Sequence, residues 1–413
     1  MKNENVCIII ADSNGGYPVP ASKGGAVSSL VEQLVQQNEK KQLVDMTVIS
    51  LYDSDAERIS KKYPHINFIY IKPNKMICAM DKLLFWFVGH VLKKAKAASY
   101  KSIFSLLYFI CKTSKILKKH TFGKVVLENN IPMAWIIHLS RYRGEYYYHF
   151  HNVPRINAKC KTVFNNCTGF LCVSNFVAGE IASKENAIGP QEKSKIKTLY
   201  NCIDTECFQP VHDIAMLQEV KKTYGIQDDE KVILFAGRLS KEKGIDKLLM
   251  ALQYLKIDRY KVLIIGSYVH NADFKDEYQE YIHQLAAKYQ DKVVFTGYIS
   301  QEKLPLLYNI ADVAVLPSMW DEPAGLTMIE ALACGTPVIT TFSGGIPEYV
   351  GGFGLLVKRD EHIVEKLSEK MNAVLCSDEL AERIGREGVK HINAKWHTGV
   401  YLEHFLEALD IKF

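Results

Sequence analysis

The sequence predicts an α/β protein made of two doubly wound domains, and three observations carry that expectation. Short runs rich in β-branched residues alternate with helical segments almost throughout, the pattern of layers around parallel sheets. The 413 residues are too many for one ordinary hydrophobic core and suit two domains of roughly 200 residues each. The alternation breaks once, after Pro210, where a polar stretch marks a boundary.

In the first half, strands are expected at VCIIIAD (6–12), MTVISLY (46–52), INFIYI (66–71), EYYYHFH (145–151) and GFLCVS (169–174). The segment KIKTLYNCIDTECFQP (195–210) reads as a strand running into a turn and linker. A second series follows with KVILFAGR (231–238), KVLIIGS (261–267), KVVFTGY (292–298), DVAVLPS (312–318), PVITTF (337–342) and GLLVK (354–358). Helices fit between these strands at 243–255, 276–289, 301–309 and 325–334. The expected division is therefore a domain over 1–207 and a domain over 208–395, with the C-terminal helix of 396–413 packing back on the first. Two such domains facing across a cleft would line it with the carboxyl ends of their strands, where ligands bind in these sheets.

The totals exclude several classes. A formal charge of +5 is too modest to imply a nucleic-acid partner. Ten cysteines occur without a C-x-x-C pair or a Cys/His cluster at zinc spacing. They read as reduced thiols of a cytoplasmic protein, with Cys7, Cys172 and Cys334 as small core residues. The opening MKNENVCIIIAD turns acidic too soon for a signal peptide, and no apolar run nears the roughly 18–20 residues of a membrane span. Charge is nevertheless uneven. Lys72 to Lys124 holds twelve lysines and one acid, Asp81, around the apolar runs LLFWFV (83–88) and IFSLLYFI (103–110). This segment reads either as a face for an anionic membrane surface or as two core helices with lysine-rich solvated sides.

Three loops after strands carry the chemistry. In SNGGYPVPASKGGAVSSL (13–30), Gly24 and Gly25 precede a helix starting near Ala26, an arrangement that suits either anion binding or a plain connection. It is neither a G-x-G-x-x-G nor a Walker A loop, so nicotinamide and P-loop chemistry lose support. In AGRLSKEKGID (236–246), Arg238 and Lys243 stand five apart across a turn. They read as two cations converging on a diphosphate or as two surface charges. In DEPAGLTMIEALACGTPVIT (321–340), a helix follows Gly325, and the N–H groups of Ala324, Gly325, Leu326 and Thr327 point at the strand ends, where a diphosphate could sit. The expected core face of that helix runs along Met328, Ala331 and Leu332. Glu330 would turn to the opening, where a carboxylate suits a vicinal diol, and Glu322 would do the same for the hydroxyls of a second sugar.

WDEPAGLTMIEALACGTPVITTFSGGIPEYV (320–350) resembles the donor-binding motif of the retaining GT-B glycosyltransferases, family 4 in particular. Further matches fall in order at KGG (23–25), HNVP (151–154), YNCID (200–204), GRLSKEKGID (237–246) and FTGYIS (295–300), so the resemblance spans nearly the whole chain. It implies the GT-B fold, with the first domain on the acceptor side and the second binding a nucleotide-sugar donor. It further implies that Glu322 meets the donor sugar, Glu330 the ribose, and Arg238 with Lys243 the diphosphate. Gly237 belongs to the same loop, Tyr298 and Ile299 would meet the base, and Gly24 and Gly25 would close over the phosphates. His151 matches the family's active-site histidine; His149, on the same strand face, is second choice, with a buried structural role favoured. Two departures stand out: Asn201-Cys202 replaces an Asn-Gly turn, and Ala324 stands where Phe is common.

The expected reaction is transfer of a sugar, with retention, to a hydroxyl acceptor such as a lipid-linked or surface-polysaccharide saccharide. UDP-linked hexose or N-acetylhexosamine is favoured as donor and GDP-mannose comes second. No cofactor and no metal are expected, since no D-x-D is present and two cations are available. The expected location is cytoplasmic, with peripheral attachment to the inner face of the cell membrane as one option. The competing readings are a nucleotide-sugar epimerase of the same architecture and a non-catalytic sugar-nucleotide-binding partner of another transferase.

Overall fold

The computed structural model describes residues 4–11, 18–91, 101–267 and 277–413. Asp12, residues 13–17 of the first glycine-rich loop, and Lys93, Lys94 and Lys96 of the lysine-rich segment lie outside the described residues. The chain separates into two units, Met1–Asn201 with Thr398–Phe413, and Cys202–His397.

The first unit holds seven strands: β1 (Asn5–Ile9), β2 (Asp45–Leu51), β3 (Asn67–Ile71), β4 (Lys124–Glu128), β5 (Glu145–Phe150), β6 (Gly169–Cys172) and β7 (Ile196–Thr198). All pair in parallel, in the order β3-β2-β1-β4-β5-β6-β7. Strands covered on both faces need apolar side chains on both, which is why VCII, VVL and GFLC are fully buried. Strand β4 is absent from the strands expected from sequence; its five residues close the lysine-rich segment, where flanking charge hides the short apolar run. The Ala26–Lys41 helix begins where the glycine pair ends and buries Leu30, Val31, Leu34 and Val35. Helix Thr398–Ala408 packs on this unit, held by Lys41 to Glu403 (2.8 Å) and followed by Lys197 to Asp410 (2.6 Å).

The second unit holds β8 (Lys231–Ala236), β9 (Tyr260–Ile265), β10 (Val293–Gly297), β11 (Val313–Leu316), β12 (Val338–Thr341) and β13 (Leu355–Val357). These six are also all parallel, in the order β10-β9-β8-β11-β12-β13. One of its layers packs Ile233, Phe235, Val262, Ile264 and Val315 against Leu248, Leu249 and Leu367 of the covering helices. The ten cysteines form no disulfide, and Cys7, Cys172 and Cys334 are buried as expected.

Each sheet reverses its winding once, between β1 and β4 in the first unit and between β8 and β11 in the second. At such a switch point two neighbouring loops leave the sheet in opposite directions and open a crevice at the strand ends. Nearly all the sequence-designated site residues follow one of these strands or their immediate neighbours.

Candidate active site

In the second unit, the loop after β8 carries Gly237, Arg238 and Lys243, and the loop after β11 carries Trp320, Glu322, Ala324 and Gly325. The two loops meet through an ion pair between Lys243 Nζ and Glu322 Oε1. Glu322 is buried, and the Ser318 hydroxyl donates to the same Oε1 at 3.0 Å. Two glycines in the left-handed region let the backbones close in around it. A Cβ on Gly244 (φ 69°) would stand 2.1 Å from the Pro317 carbonyl oxygen, and one on Gly344 (φ 55°) 2.2 Å from that of Glu322. Arg238 is more than half exposed, its guanidinium 3.7 Å from Glu242. The two cations thus have different partners, Lys243 inside the loops and Arg238 at the surface.

The Leu326–Ala333 helix starts directly after Gly325, whose carbonyl accepts from the N–H groups of Met328 and Ile329. The N–H groups of Leu326 and Thr327 belong to the first turn, which has no intrahelical acceptors. Met328, Ala331 and Leu332 face the core as the sequence suggests, joined by Ile329 and Ala333. Glu330 stays half-buried, and the Tyr308 hydroxyl donates to its Oε2 at 3.2 Å. Burial pushes this carboxyl up to about 8, against the opposing pull of the Tyr308 hydrogen bond. Sequence reasoning missed Tyr308, because in LPLLYN it looks like one more core aromatic. Past β10, Gly297 (φ 73°) presents Tyr298, 73% exposed, with Ile299 half-buried beside it.

In the first unit, a cavity of about 530 Å³ opens at the β1/β4 switch point. Its wall consists of Ile10 and Ala11 after β1, Gly25 to Ser28 at the start of the next helix, Glu128 to Pro132 after β4, and Asn152 to Ile156 after β5. Asn130 ties the two sides together by donating from Nδ2 to the Ala11 carbonyl at 2.9 Å. His151 lies directly after β5, and its N–H donates to Asn129 Oδ1 at 3.1 Å.

Glu128 and His149 are register partners across β4 and β5, which brings together two residues 21 positions apart. Glu128 Oε2 is 3.0 Å from His149 Nδ1 and 2.9 Å from His151 Nε2, and all three side chains are buried. The histidine rings lie 4.1 Å apart, confirming that they share a strand face. Burial raises the Glu128 carboxyl, but the two imidazoles outweigh it and bring it down to about 2. Burial, together with repulsion from His149, brings His151 down to about 4 despite the carboxylate. The resulting state is an ionised Glu128 and a neutral His151. These three residues offer a carboxylate and two imidazoles within 4.8 Å of one another, ligand types that a divalent cation takes. Glu128 also bonds to both imidazoles, while the enclosed Nε2 of His149 has no partner among the described residues. Glu128, Asn129 and Asn130 were not anticipated; the polar triplet ENN at the end of VVL was the available signal.

Residues 217–391, which include both loops at the second switch point, match the family described as Glycosyl transferases group 1. Over those residues the chain is similar to the group 1 glycosyl transferases, a match that supports glycosyltransferase activity. Over 378 residues this glycosyltransferase is 28% identical to spore coat protein SA of Bacillus subtilis, covering 89% of this chain and 90% of that protein. It is 26% identical to the putative glycosyltransferase YtcC of the same organism over 384 residues, covering 91% and 85% of the two chains. The solved structure of Anabaena Alr3699/HepE in complex with UDP and glucose superposes with a TM-score of 0.73 at 16% identity, covering 98% and 99% of the two chains. At that identity the likeness speaks for the fold, and the two Rossmann-like units of this glycosyltransferase have the GT-B architecture.

Proposed function

We propose that this glycosyltransferase is a retaining, family 4 enzyme. On this reading it moves a hexose or N-acetylhexosamine from a UDP-linked donor to a hydroxyl of a lipid-linked or surface-polysaccharide saccharide. The observation that carries the proposal is the Lys243–Glu322 pair at the switch point of the matched domain, next to the first turn of the Leu326–Ala333 helix. A buried carboxylate there suits the hydroxyls of a donor sugar, and a cation with bare N–H groups suits its diphosphate. UDP is favoured over GDP because Anabaena HepE, of like fold, is solved with UDP and glucose.

In this reading Glu322 accepts from the sugar hydroxyls, Glu330 accepts from the ribose diol, and Tyr298 with Ile299 flanks the base. Lys243, Arg238 and the N–H groups of Leu326 and Thr327 take up charge as it develops on the departing diphosphate. Dipoles and cations already in position do this with little reorganisation. The bond from the anomeric carbon to the phosphate oxygen breaks, and the acceptor oxygen bonds to the same face of that carbon. The acceptor's proton passes to the departing phosphate. His151, directly after β5, serves the acceptor side, and Gly24 with Gly25, the latter in the cavity wall of the first unit, serves the phosphates. Two cations make a metal unnecessary for charge neutralisation.

Incubation of the protein with UDP-hexoses and UDP-N-acetylhexosamines, with and without a saccharide acceptor, tests this proposal. Acceptor-stimulated UDP release, a product with the donor's anomeric configuration by NMR, and turnover unaffected by EDTA are expected. Inverted product overturns the retaining mechanism, and epimer formation without transfer overturns the reaction.

A further inference from the structure

Helix Lys75–Trp86 of the first unit, continued by the turn Phe87–Val91, carries two apolar stripes. Ile77, Leu84 and Val88 are turned inward and partly or fully buried. Met76, Met80, Leu83 and Phe87 are spaced by four, three and four residues, which keeps them on one helical face. That face points to solvent, with the four side chains 67, 39, 66 and 44% exposed and Trp86 beside them at 53%. A surface helix ordinarily puts its polar residues there. A continuous apolar face of this size marks a surface that something else covers.

The charges around it identify what. Lys72, Lys75 and Lys82 are exposed alongside the stripe. The next helix, Ile103–Lys119, exposes Leu107 together with Lys112, Lys115, Lys118 and Lys119. The one acid between Lys72 and Lys124, Asp81, is buried and used internally. Its carboxylate accepts from the N–H groups of Phe104 (2.8 Å) and Ser105 (3.0 Å) and from the Ser105 hydroxyl (2.5 Å), capping that helix. Among the described residues of 72–124 no carboxylate therefore faces outward. Apolar side chains bordered by lysines, with a tryptophan at the boundary, match the chemistry of an anionic bilayer surface.

We propose that this face docks the enzyme on an anionic lipid bilayer by insertion. Met76, Leu83, Trp86 and Phe87 enter the acyl boundary while the lysines meet the headgroups. The inference deepens the reading of a lipid-linked acceptor, but its test uses no sugar, so the two stand or fall separately.

The test is flotation of the full-length protein with vesicles of phosphatidylcholine alone and of phosphatidylcholine with one-third phosphatidylglycerol. Binding to the anionic vesicles is expected, weakened by salt, and the pair Leu83→Asp with Phe87→Asp is expected to lower it by at least roughly ten-fold. Lys75→Glu with Lys82→Glu should reduce binding to anionic vesicles only. Brominated lipid should quench the emission of the unsubstituted protein, and Trp86→Phe, which keeps the apolar bulk, should remove that quenching. This readout holds even where a charge substitution disturbs folding. Equal flotation of the Leu83/Phe87 variant and the parent, or no lipid-dependent quenching, overturns the proposal. A concentration-dependent dimer that the same variant abolishes, without vesicle binding, assigns the stripe to contact between copies instead.

Discussion

His151 Nε2 lies 2.9 Å from Glu128 Oε2, and the carboxylate is ionised while the imidazole is neutral. A neutral histidine beside a carboxylate places its single N–H on the nitrogen that faces it. Glu128 therefore holds His151 as the Nε2–H tautomer and leaves Nδ1 as an acceptor. If His151 serves the reaction, Glu128 is its positioning residue. Glu128→Gln keeps the shape but lets the amide present either a donor or an acceptor. Turnover is expected to fall by roughly ten- to a hundred-fold, with the KM for donor little changed. A turnover within two-fold of the parent's would separate His151 from the chemistry.

The same cluster sets an acid limit on stability. His151 is depressed to about 4 in the folded chain, so between about 6.5 and 4 the unfolded chain binds a proton that the folded one refuses. Glu128, lowered to about 2, adds a loss of the same sign once the pH falls below the ordinary carboxylate range. Both groups make the folded state less stable in acid, His151 by up to about 3 kcal/mol over its window. Thermal unfolding at pH 7 and pH 4.5 should show this drop, and His151→Asn should shrink it. An equal drop in both proteins would place the acid sensitivity elsewhere.

Glu330 has the opposite sign. Its carboxyl is pushed up to about 8, so from about pH 4.5 to 8 the unfolded chain gives up a proton that the folded one retains, and stability declines as pH rises. Glu330→Gln removes the titration and preserves a partner for Tyr308. Its unfolding midpoint at pH 8 should exceed that of the parent, while its affinity for UDP falls. A variant that is both less stable and weaker at binding would mean that the carboxylate is part of the core's own structure.

The second unit was the more legible of the two. Its strands are continuous apolar runs ending in glycine or a polar turn, so KVILFA and KVLII stand out without neighbours. Glu128 was not legible, because its meeting with His149 depends on the register of two parallel strands rather than on spacing along the chain. The missed β4 compounded this, since without it β5 had no expected neighbour on the side where Glu128 meets His149. The two stripes of the 75–88 helix show another limit. Ile77, Leu84 and Val88 carry the same periodicity as Met76, Met80, Leu83 and Phe87, and only packing decides which set is covered.

The Lys243–Glu322 pair makes a mutational cycle informative. Removing Lys243 leaves a buried carboxylate with only the Ser318 hydroxyl, which should destabilise the second unit by about 3 kcal/mol. Lys243→Met combined with Glu322→Gln should recover much of that stability, because neither charge is then left alone. Catalysis should not recover, since both groups are assigned to the donor. Denaturant unfolding read beside UDP release tests the two halves independently, and additive destabilisation in the double variant would deny the coupling.

Donor binding offers a direct test of Glu330 as the ribose contact. At pH 7 a carboxyl near 8 is mostly protonated, yet accepting from two ribose hydroxyls calls for the carboxylate. Binding should therefore drive the proton off. A UDP-hexose is the proper ligand, because its esterified diphosphate has no titration near neutrality to add protons of its own. Calorimetry at pH 7 in two buffers of different ionisation enthalpy should report release of close to one proton per donor bound. The release should vanish in Glu330→Gln and fade as the pH rises past 8, where the free enzyme has already lost the proton. Binding with no proton release in the parent would mean that Glu330 stays protonated and meets its ligand as a hydrogen-bond donor.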